Sequence, residues 1–306
     1  MNSSAASDVY KRQDKYLFKL NDFKKLYVSC PDLKEYISEL ELSYPRNIQG
    51  AQKIPLFDGK IILNLIIGEI DNTQEYIKLM GKVDAWYLDG FSPSKNPELW
   101  SKKLFMCIYK SCHENTTFST YTSSGIVKNN LTESGFNHKR VEGFSEKRHM
   151  LKGNVDTQLK KSVINTKVAV IGSGIAGCIL SYTLAKKGIE VDLYEKSDKI
   201  CSGASSHELL VTYPRLSAHD TAFGSFTLHS YIFATNFYKR LKTDAWNRTG
   251  VIILNHDAAT EKRQSSLLKK RADGEIYRFI DPVEASEISG IDIKLNGLIY
   301  EDAGYI

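Results

Sequence analysis

Three glycines and one acid set the first chemistry open to this sequence. In residues 167–195, KVAVIGSGIAGCILSYTLAKKGIEVDLYE, a β-branched apolar run enters the turn Gly172-Ser173-Gly174-Ile175-Ala176-Gly177 and the stretch closes on Glu195. Gly172 permits a tight turn off a strand, Gly174 lets bare backbone approach phosphate, and Gly177 lets the following helix lie close on the sheet. The helix N-terminus offers its unpaired N–H groups to negative charge. Glu195 falls where a carboxylate would accept hydrogen bonds from ribose hydroxyls, and Lys196 follows it. An acid rather than a basic cluster at this point disfavours a 2′-phosphate, so FAD or NAD is expected in preference to NADP. The alternative is a Gly-rich turn in some unrelated α/β unit, against which the strand before, the helix after and the spacing of the acid all weigh.

A second set lies in VDAWYLDGFSPSKNPELW (83–100), where a strand ends in Asp89 and a loop rich in Gly and Pro follows. Ligands of doubly wound sheets bind at the carboxyl ends of the strands, which puts Asp89 at the mouth of a site. A carboxylate there can accept a hydrogen bond from an amine and aim its lone pair at an electrophilic methyl group. Phe91 is placed to stack on a base, whereas Trp86 lies within the strand and reads as core. Asp89 before Gly90 is equally a common turn pair, so a capping role stands beside the chemical one.

Both sets need elements to hold them. Strand-like runs at 61–67 (IILNLII), 83–89 and 116–122 alternate with helical stretches at 72–81, 97–112 and 124–135, and FNHKRV with RHMLKG is suited to a hairpin. Such alternation predicts a mostly parallel, doubly wound α/β sheet that ends in two successive strands. Residues 154–165 are polar and weakly patterned and read as a linker. From 166 to 306 a second α/β unit begins with the dinucleotide turn. It continues through an aromatic-rich helical stretch at 221–241, expected to cover the sheet, a strand at 250–255, and a basic run at 261–271 that reads as a solvated helix face. Residues 1–13 are polar and aperiodic and look foreign to the fold. The expected division is therefore 1–13 as leader, 14–153, 154–165 as linker, and 166–306.

Composition bounds the classes. The chain has 306 residues, 42% hydrophobic and 25% charged, enough for two domains with cores of their own. Its longest apolar run, IILNLII, is interrupted by Asn64 and is too short to span a bilayer. No signal-peptide pattern opens the chain. The cysteines, Cys30, Cys107, Cys112, Cys178 and Cys201, are odd in number and form no Cys-x-x-Cys pair, so no metal site is read and a cytoplasmic setting is expected. Cys107 and Cys112 read as packing residues. The net charge of +5 is compatible with an RNA partner.

Taken together, DAWYLDGFSPSKNPELW, FSTYTSSGIVKNNLTESGF and GFSEKRHMLKG, followed by VAVIGSGIAG and GASSHELLVTYPRLSAHD, closely resemble the bifunctional tRNA 5-methylaminomethyl-2-thiouridine biosynthesis family over roughly residues 60–306. The resemblance implies a class I methyltransferase-like half using S-adenosylmethionine, fused to an FAD-dependent oxidoreductase half with a Rossmann-type FAD-binding fold. It implies oxidative removal of the carboxymethyl group from a carboxymethylaminomethyl uridine at the wobble position of tRNA, then N-methylation of the aminomethyl product. Asp89 would then position the amine, and Glu69 would meet the adenine edge of the methyl donor. Phe91, Pro93 and Asn96 would line the substrate side, and Lys147 and Arg148 would meet tRNA phosphate. Gly203, Ala204 and Ser205 would touch the flavin's phosphates or ribose, with His207 and His219 nearby.

The chain also departs from that family. A Gly-rich loop opening the methyltransferase half is not found, YLFKLNDF (16–23) is a poor match to a strand with a ribose-binding acid, His149 stands where an acid is usual, and Ser206 stands where glycine is usual. Both domains are expected to be incomplete and the chain to be an internal fragment. Two other readings remain open: a glycine-oxidase-like flavin amine oxidase acting on a small molecule, and a non-catalytic nucleotide- or RNA-binding fragment.

Overall fold

VDAWY and CHENTTFST become neighbouring parallel strands, which bury Val83 and Trp86 of the first and Thr116, Phe118 and Thr120 of the second. A computed structural model describes residues 3–4, 17, 20–22, 25, 30–79, 81–143, 147–160, 167–217, 219, 221–241, 243–270 and 274–306. They fall into two units, Met1–Ile54 with Ile62–Val163 and Pro55–Ile61 with Ile164–Ile306. Half of the expected YLFKLNDF segment and most of the 1–13 leader lie outside the described residues.

In chain order the elements up to residue 160 are β1 (Ser3–Ser4), α1 (Lys34–Glu41), β2 (Gly50–Leu56), β3 (Ile61–Ile67), α2 (Ile70–Leu79), β4 (Val83–Tyr87), α3 (Lys102–Lys110), β5 (Cys112–Thr120), α4 (Gly125–Glu133), β6 (Phe136–Glu142) and β7 (His149–Val155). The main sheet has the order β1-β4-β5-β7-β6. β4 and β5 are parallel, while β7 runs antiparallel to both β5 and β6. The hairpin expected at the end of this unit is therefore present, and its second strand inserts between β5 and the first.

Packing explains the order. Trp86 and Phe118 face each other across β4 and β5 and are both buried. Phe118 meets Phe136 edge to face at 5.3 Å, and Gly153 of β7 leaves room for the Phe118 ring, since a Cβ there would collide with it and with the Asn137 carbonyl. α3 adds Leu104, Phe105, Cys107 and Ile108 to this core, and α4 adds Val127 and Leu131. Burying such apolar side chains stabilises the unit by about 1.5–3 kcal/mol each. Cys107 and Cys112 are packing residues, their thiols directed at the Gln74 and Ile108 carbonyls, and burial pushes the Cys112 thiol up to about 12.

Four expectations need correcting. IILNLII is a strand, but it pairs with β2 in a separate two-stranded sheet and not in the main one. The helix expected over 97–112 is a 3₁₀ turn, Pro97–Trp100, followed by α3. Ser101 is extended between them and caps α3 by accepting from the Leu104 N–H at 3.3 Å. This is the usual preference of Ser for an N-cap over a helix interior. Residues 154 and 155, read as linker, complete β7, and the chain beyond them stays tied to the first unit through Glu114 N–H to Leu159 O and Tyr109 OH to Asp156 O. Residues 161–166 lie outside the described residues. Ser3–Ser4, read as foreign to the fold, run parallel to Ala85–Trp86 beside β4 in the main sheet.

The second unit holds β8 (Val168–Ile171), α5 (Ile175–Lys186), β9 (Val191–Tyr194), β10 (Val211–Thr212), α6 (Ala222–Arg240), β11 (Val251–Leu254), α7 (Ala258–Lys270), β12 (Arg278–Ile280), α8 (Pro282–Ser289), β13 (Gly297–Tyr300) and β14 (Gly304–Tyr305). β8 and β9 are parallel, β11-β13-β12 form an antiparallel sheet, and β10 pairs with β14. The aromatic stretch is helical as expected, but its rings meet α5 and the following loop: Phe237 lies edge-on to Tyr182 at 6.1 Å, and Tyr238 stacks on Trp246 at 4.9 Å. In the basic run, Leu267 and Gln264 are buried, and Gln264 donates to the Ile253 carbonyl at 2.7 Å. α8 follows a Pro at its first turn, an Asp281 cap and a left-handed Gly290 at its end.

Candidate functional site

Two groups of residues carry the chemistry, one in each unit. In the second unit β8 leads into the glycine turn, where Gly172 has φ of 95°, in the region only glycine enters at no cost. Its N–H donates to the Tyr194 carbonyl at 2.7 Å, fastening the turn to the end of β9. Gly174 caps α5 with an extended backbone, and Gly177 sits so close beneath the turn that a Cβ would fall inside contact distance of the Gly172 carbonyl. Gly172 therefore makes the tight turn and Gly177 the close helix approach that their spacing predicts.

The acid is held from the same turn. Ser173 is fully buried, and its N–H and its hydroxyl each donate to Glu195 Oε2 at 2.8 Å. Ser197 N–H donates to Oε1 at 3.1 Å, and the Lys196 N–H adds to the set. Donation from the Ser173 backbone, then from its hydroxyl, holds the Glu195 carboxyl at about 2, so it is ionised at neutral pH. Ser205 closes the corner, its hydroxyl accepting from the Ile175 N–H at 3.0 Å at the start of α5. Gly203 begins the Ala204–Ser206 turn, and its carbonyl accepts from Ser206. His207 and His219 are exposed.

A cradle with two glycines stripped of side chains, a helix N-terminus and an ionised carboxylate fits the adenosine diphosphate half of a dinucleotide. Sequence reasoning did not anticipate that Ser173 would hold Glu195, or that one helix N–H would be taken by Ser205.

In the first unit the carboxyl ends of β4 and β5 meet. Leu88, buried, donates to the Ser119 carbonyl at 2.8 Å, and Asp89 emerges exposed beyond it. Tyr121 stands one residue past β5. Burial pushes its hydroxyl up, and the charge of Asp89 adds to the effect. Lys147 places its ammonium 5.6 Å from the Tyr121 ring centre, and Trp100 meets the same ring edge-on at 6.1 Å. The Trp100 indole N–H donates to the Phe91 carbonyl at 2.7 Å, and Asn130 of α4 donates to the Trp100 carbonyl at 2.7 Å. A chain of two hydrogen bonds thus anchors the loop after Asp89 to a helix of the core.

Asp89, Phe91 and Lys147 are thereby brought together. Pro93 is half-buried within the same loop, but the Asn96 amide is occupied by Glu98 at 3.1 Å. Arg148 is exposed in the β6–β7 connection, where its carbonyl accepts from Gly143. Glu69 is exposed just before α2, with its carbonyl accepting from Thr73. Trp86 is core. Tyr121 was missed, although the rule that points to Asp89 at a strand's carboxyl end points equally to the residue leaving β5. The arrangement suits an acceptor site: a carboxylate for an amine, aromatic rings for a base, and a cation for phosphate. Among the described residues no cluster of His, Cys, Asp or Glu is arranged to hold a metal, and no helix is long and apolar enough to cross a membrane.

Comparison with known proteins agrees with this division. Residues 31–156 match the S-adenosyl-L-methionine-dependent methyltransferase family, and residues 167–306 match the FAD dependent oxidoreductase family. The chain is similar to tRNA 5-methylaminomethyl-2-thiouridine biosynthesis bifunctional proteins. It is 32% identical to that of Legionella pneumophila over 96% of this chain and 48% of the relative. For Methylobacillus flagellatus the values are 31%, 93% and 44%, and for a Marinomonas species 36%, 82% and 40%. The chain thus spans about half the length of these relatives. Among solved structures, MNMC2 from Aquifex aeolicus is 25% identical over 43% of this chain and 40% of that one, with a TM-score of 0.32. Glycine oxidase from Bacillus cereus is 20% identical over 45% and 39%, with a TM-score of 0.33. Superpositions this loose do not bear on the fold.

Proposed function

Because residues 31–156 match the S-adenosyl-L-methionine-dependent methyltransferases and residues 167–306 the FAD dependent oxidoreductases, in a chain similar to the bifunctional tRNA 5-methylaminomethyl-2-thiouridine biosynthesis proteins, we propose that it carries residues of two sites acting in succession on a wobble uridine of tRNA. The first step is oxidative removal of a carboxymethyl group from the side chain of the base, and the second is methylation of the amine left behind.

For the oxidative step, FAD would supply the hydride acceptor for the methylene beside the secondary amine, and hydrolysis of the resulting imine would leave the aminomethyl group. The residues of this chain do the holding. Gly172, Gly174 and Gly177 with Ser173, Ile175 and Ala176 admit the pyrophosphate to the start of α5. Glu195, ionised, accepts from the ribose hydroxyls. Lys196, Gly203, Ala204 and Ser205 border the same ligand. The observation that carries this reading is the Ser173–Glu195 corner beneath a turn that only glycine can make.

For the methyl transfer, S-adenosyl-L-methionine would supply an electrophilic methyl group. The described residues fit the acceptor side of such a site. Asp89 accepts a hydrogen bond from the amine and fixes the direction of its lone pair. Tyr121 and Phe91 flank the base, Lys147 meets a phosphate, and Glu69, Pro93, Asn96 and Arg148 lie around the periphery. Free cysteines throughout the described residues support a cytoplasmic setting, where tRNA is found.

The deciding experiment mixes the purified protein with FAD, removes free cofactor by gel filtration and records the visible spectrum. Retained flavin absorbance is expected, and Glu195→Gln should weaken retention. A colourless protein after equilibration with excess FAD would overturn the oxidoreductase reading for this chain.

A further inference from the structure

Two thiols meet at the same corner, and nothing in the proposed chemistry uses them. Cys178, in the first turn of α5, donates its S–H to the Ser173 carbonyl at 3.2 Å. Cys201, 23 residues along the chain in the loop after β9, donates to that same oxygen at 3.4 Å. The Cys201 N–H also bonds there, at 3.0 Å, so its backbone is tied to the turn as well as its side chain. Cys201 has φ of 53°, a left-handed conformation uncommon outside Gly and Asn, and it is held there by that bond. Both residues are half-buried and neither is in a disulfide. By contrast Cys107 and Cys112 are buried in the core of the other unit and bond to different carbonyls.

Two sulfurs that share one acceptor atom are close enough to turn to each other by side-chain rotation. Their charges and their hydrogen bond are already felt: after burial, the neighbouring Cys201 thiol is the next cause raising the Cys178 thiol above its ordinary range. Their places in the fold assign roles, because Cys201 lies in the loop after β9 whereas Cys178 is fixed in the first turn of α5. Cys201 is the thiol that meets an oxidant, and Cys178 is the one that resolves the product.

We infer that Cys178 and Cys201 form a reversible disulfide site at the base of the dinucleotide turn, closed by peroxide. In the first step the Cys201 thiolate attacks one oxygen of hydrogen peroxide. The O–O bond breaks, hydroxide leaves, and Cys201 becomes a sulfenic acid. In the second step the Cys178 sulfur attacks the Cys201 sulfur. The S–O bond breaks, the thiol proton leaves with the hydroxyl as water, and the S–S bond forms. Two electrons pass from the thiol pair to one peroxide, and a dithiol such as dithiothreitol returns them. The bond would tie the loop after β9 to the first turn of α5 and withdraw both S–H donors from Ser173, leaving that carbonyl to the Cys201 N–H alone.

The test treats the folded full chain with hydrogen peroxide, blocks remaining thiols with N-ethylmaleimide, and digests it without reductant for mass spectrometry. A peptide pair joining Cys178 to Cys201, lighter than the two separate peptides by two hydrogen atoms and released by dithiothreitol, is expected. Because the fold holds the sulfurs together, the linkage should form about tenfold faster than in chain unfolded by urea. In Cys178→Ser, Cys201 should instead be trapped as a sulfenic acid by dimedone. Alkylation of both thiols after peroxide, pairing of either with another cysteine, or equal rates in folded and unfolded chain would overturn the inference.

Discussion

Ser173 holds Glu195 by two donors on one carboxylate oxygen, both at 2.8 Å, and so fixes the acid before any ligand arrives. The consequence is an acid that titrates far from its usual range, at about 2 against an ordinary 4.5. A carboxylate lowered by folding adds stability above its unfolded pKa, and the contribution disappears as pH falls through the folded value. The second unit should therefore lose stability on acidification between roughly pH 4.5 and pH 2. Ser173→Ala removes the hydroxyl donor and leaves the N–H. Carbon-13 titration of the Glu195 carboxyl should show its midpoint moving up towards the ordinary value in that variant.

Gly177→Ala should be far more damaging than its single added methyl suggests. The new Cβ meets the Gly172 carbonyl, a backbone atom that cannot rotate away. Overpacking of this kind costs about 1–3 kcal/mol and sometimes more. Urea denaturation should show the loss, and FAD retention should fall with it. An unchanged midpoint would mean that α5 can lift off β8.

Asp89→Asn keeps the shape and removes the charge proposed to meet the amine. In a protein with this sequence that carries out methyl transfer, turnover should fall by about 10²–10⁴-fold, the range for a positioned acid–base group. Transfer of labelled methyl from S-adenosylmethionine to aminomethyl-bearing tRNA measures it. Tyr121→Phe should lower the rate less, since the ring that faces Lys147 and Trp100 stays.

Lys147→Ala should weaken tRNA binding without selecting among sequences. One phosphate contact fewer reduces the slope of log affinity against log salt by about 1. Filter binding across a salt series would show it. The same change at Arg148, exposed in the hairpin connection, tests whether the pair acts as a unit.

Trp100→Phe keeps an aromatic edge against Tyr121 and deletes the N–H that reaches Phe91. The net loss should be about 1 kcal/mol of stability. KM for the tRNA substrate should rise more than kcat falls, because the deleted bond positions a loop and takes no part in bond making.

The sequence made the dinucleotide turn legible down to the role of each glycine, because backbone constraints at Gly172 and Gly177 leave no other residue a place. It made the strand–helix alternation of the first unit legible as well, since β-branched and aromatic residues gather in 83–87 and 116–120. The position of IILNLII was not legible. An apolar run states that it must be covered, and does not say which strand will pair with it. The break at Ser101 was readable in principle from a Ser three residues ahead of an apolar helical run, and the helix 282–289 from Asp281, Pro282 and Gly290. The Tyr121–Lys147–Trp100 cluster joins three segments far apart in the chain, and only a fold can bring those together.

Asn130 lies on α4, behind the loop that follows Asp89, and it reaches that loop through the carbonyl and then the indole of Trp100. A screen for loss of methyl transfer should therefore return changes at Asn130 as well as in the cleft. Compensating changes should be sought along that relay, because a defect introduced at the helix is felt in the loop that follows Asp89.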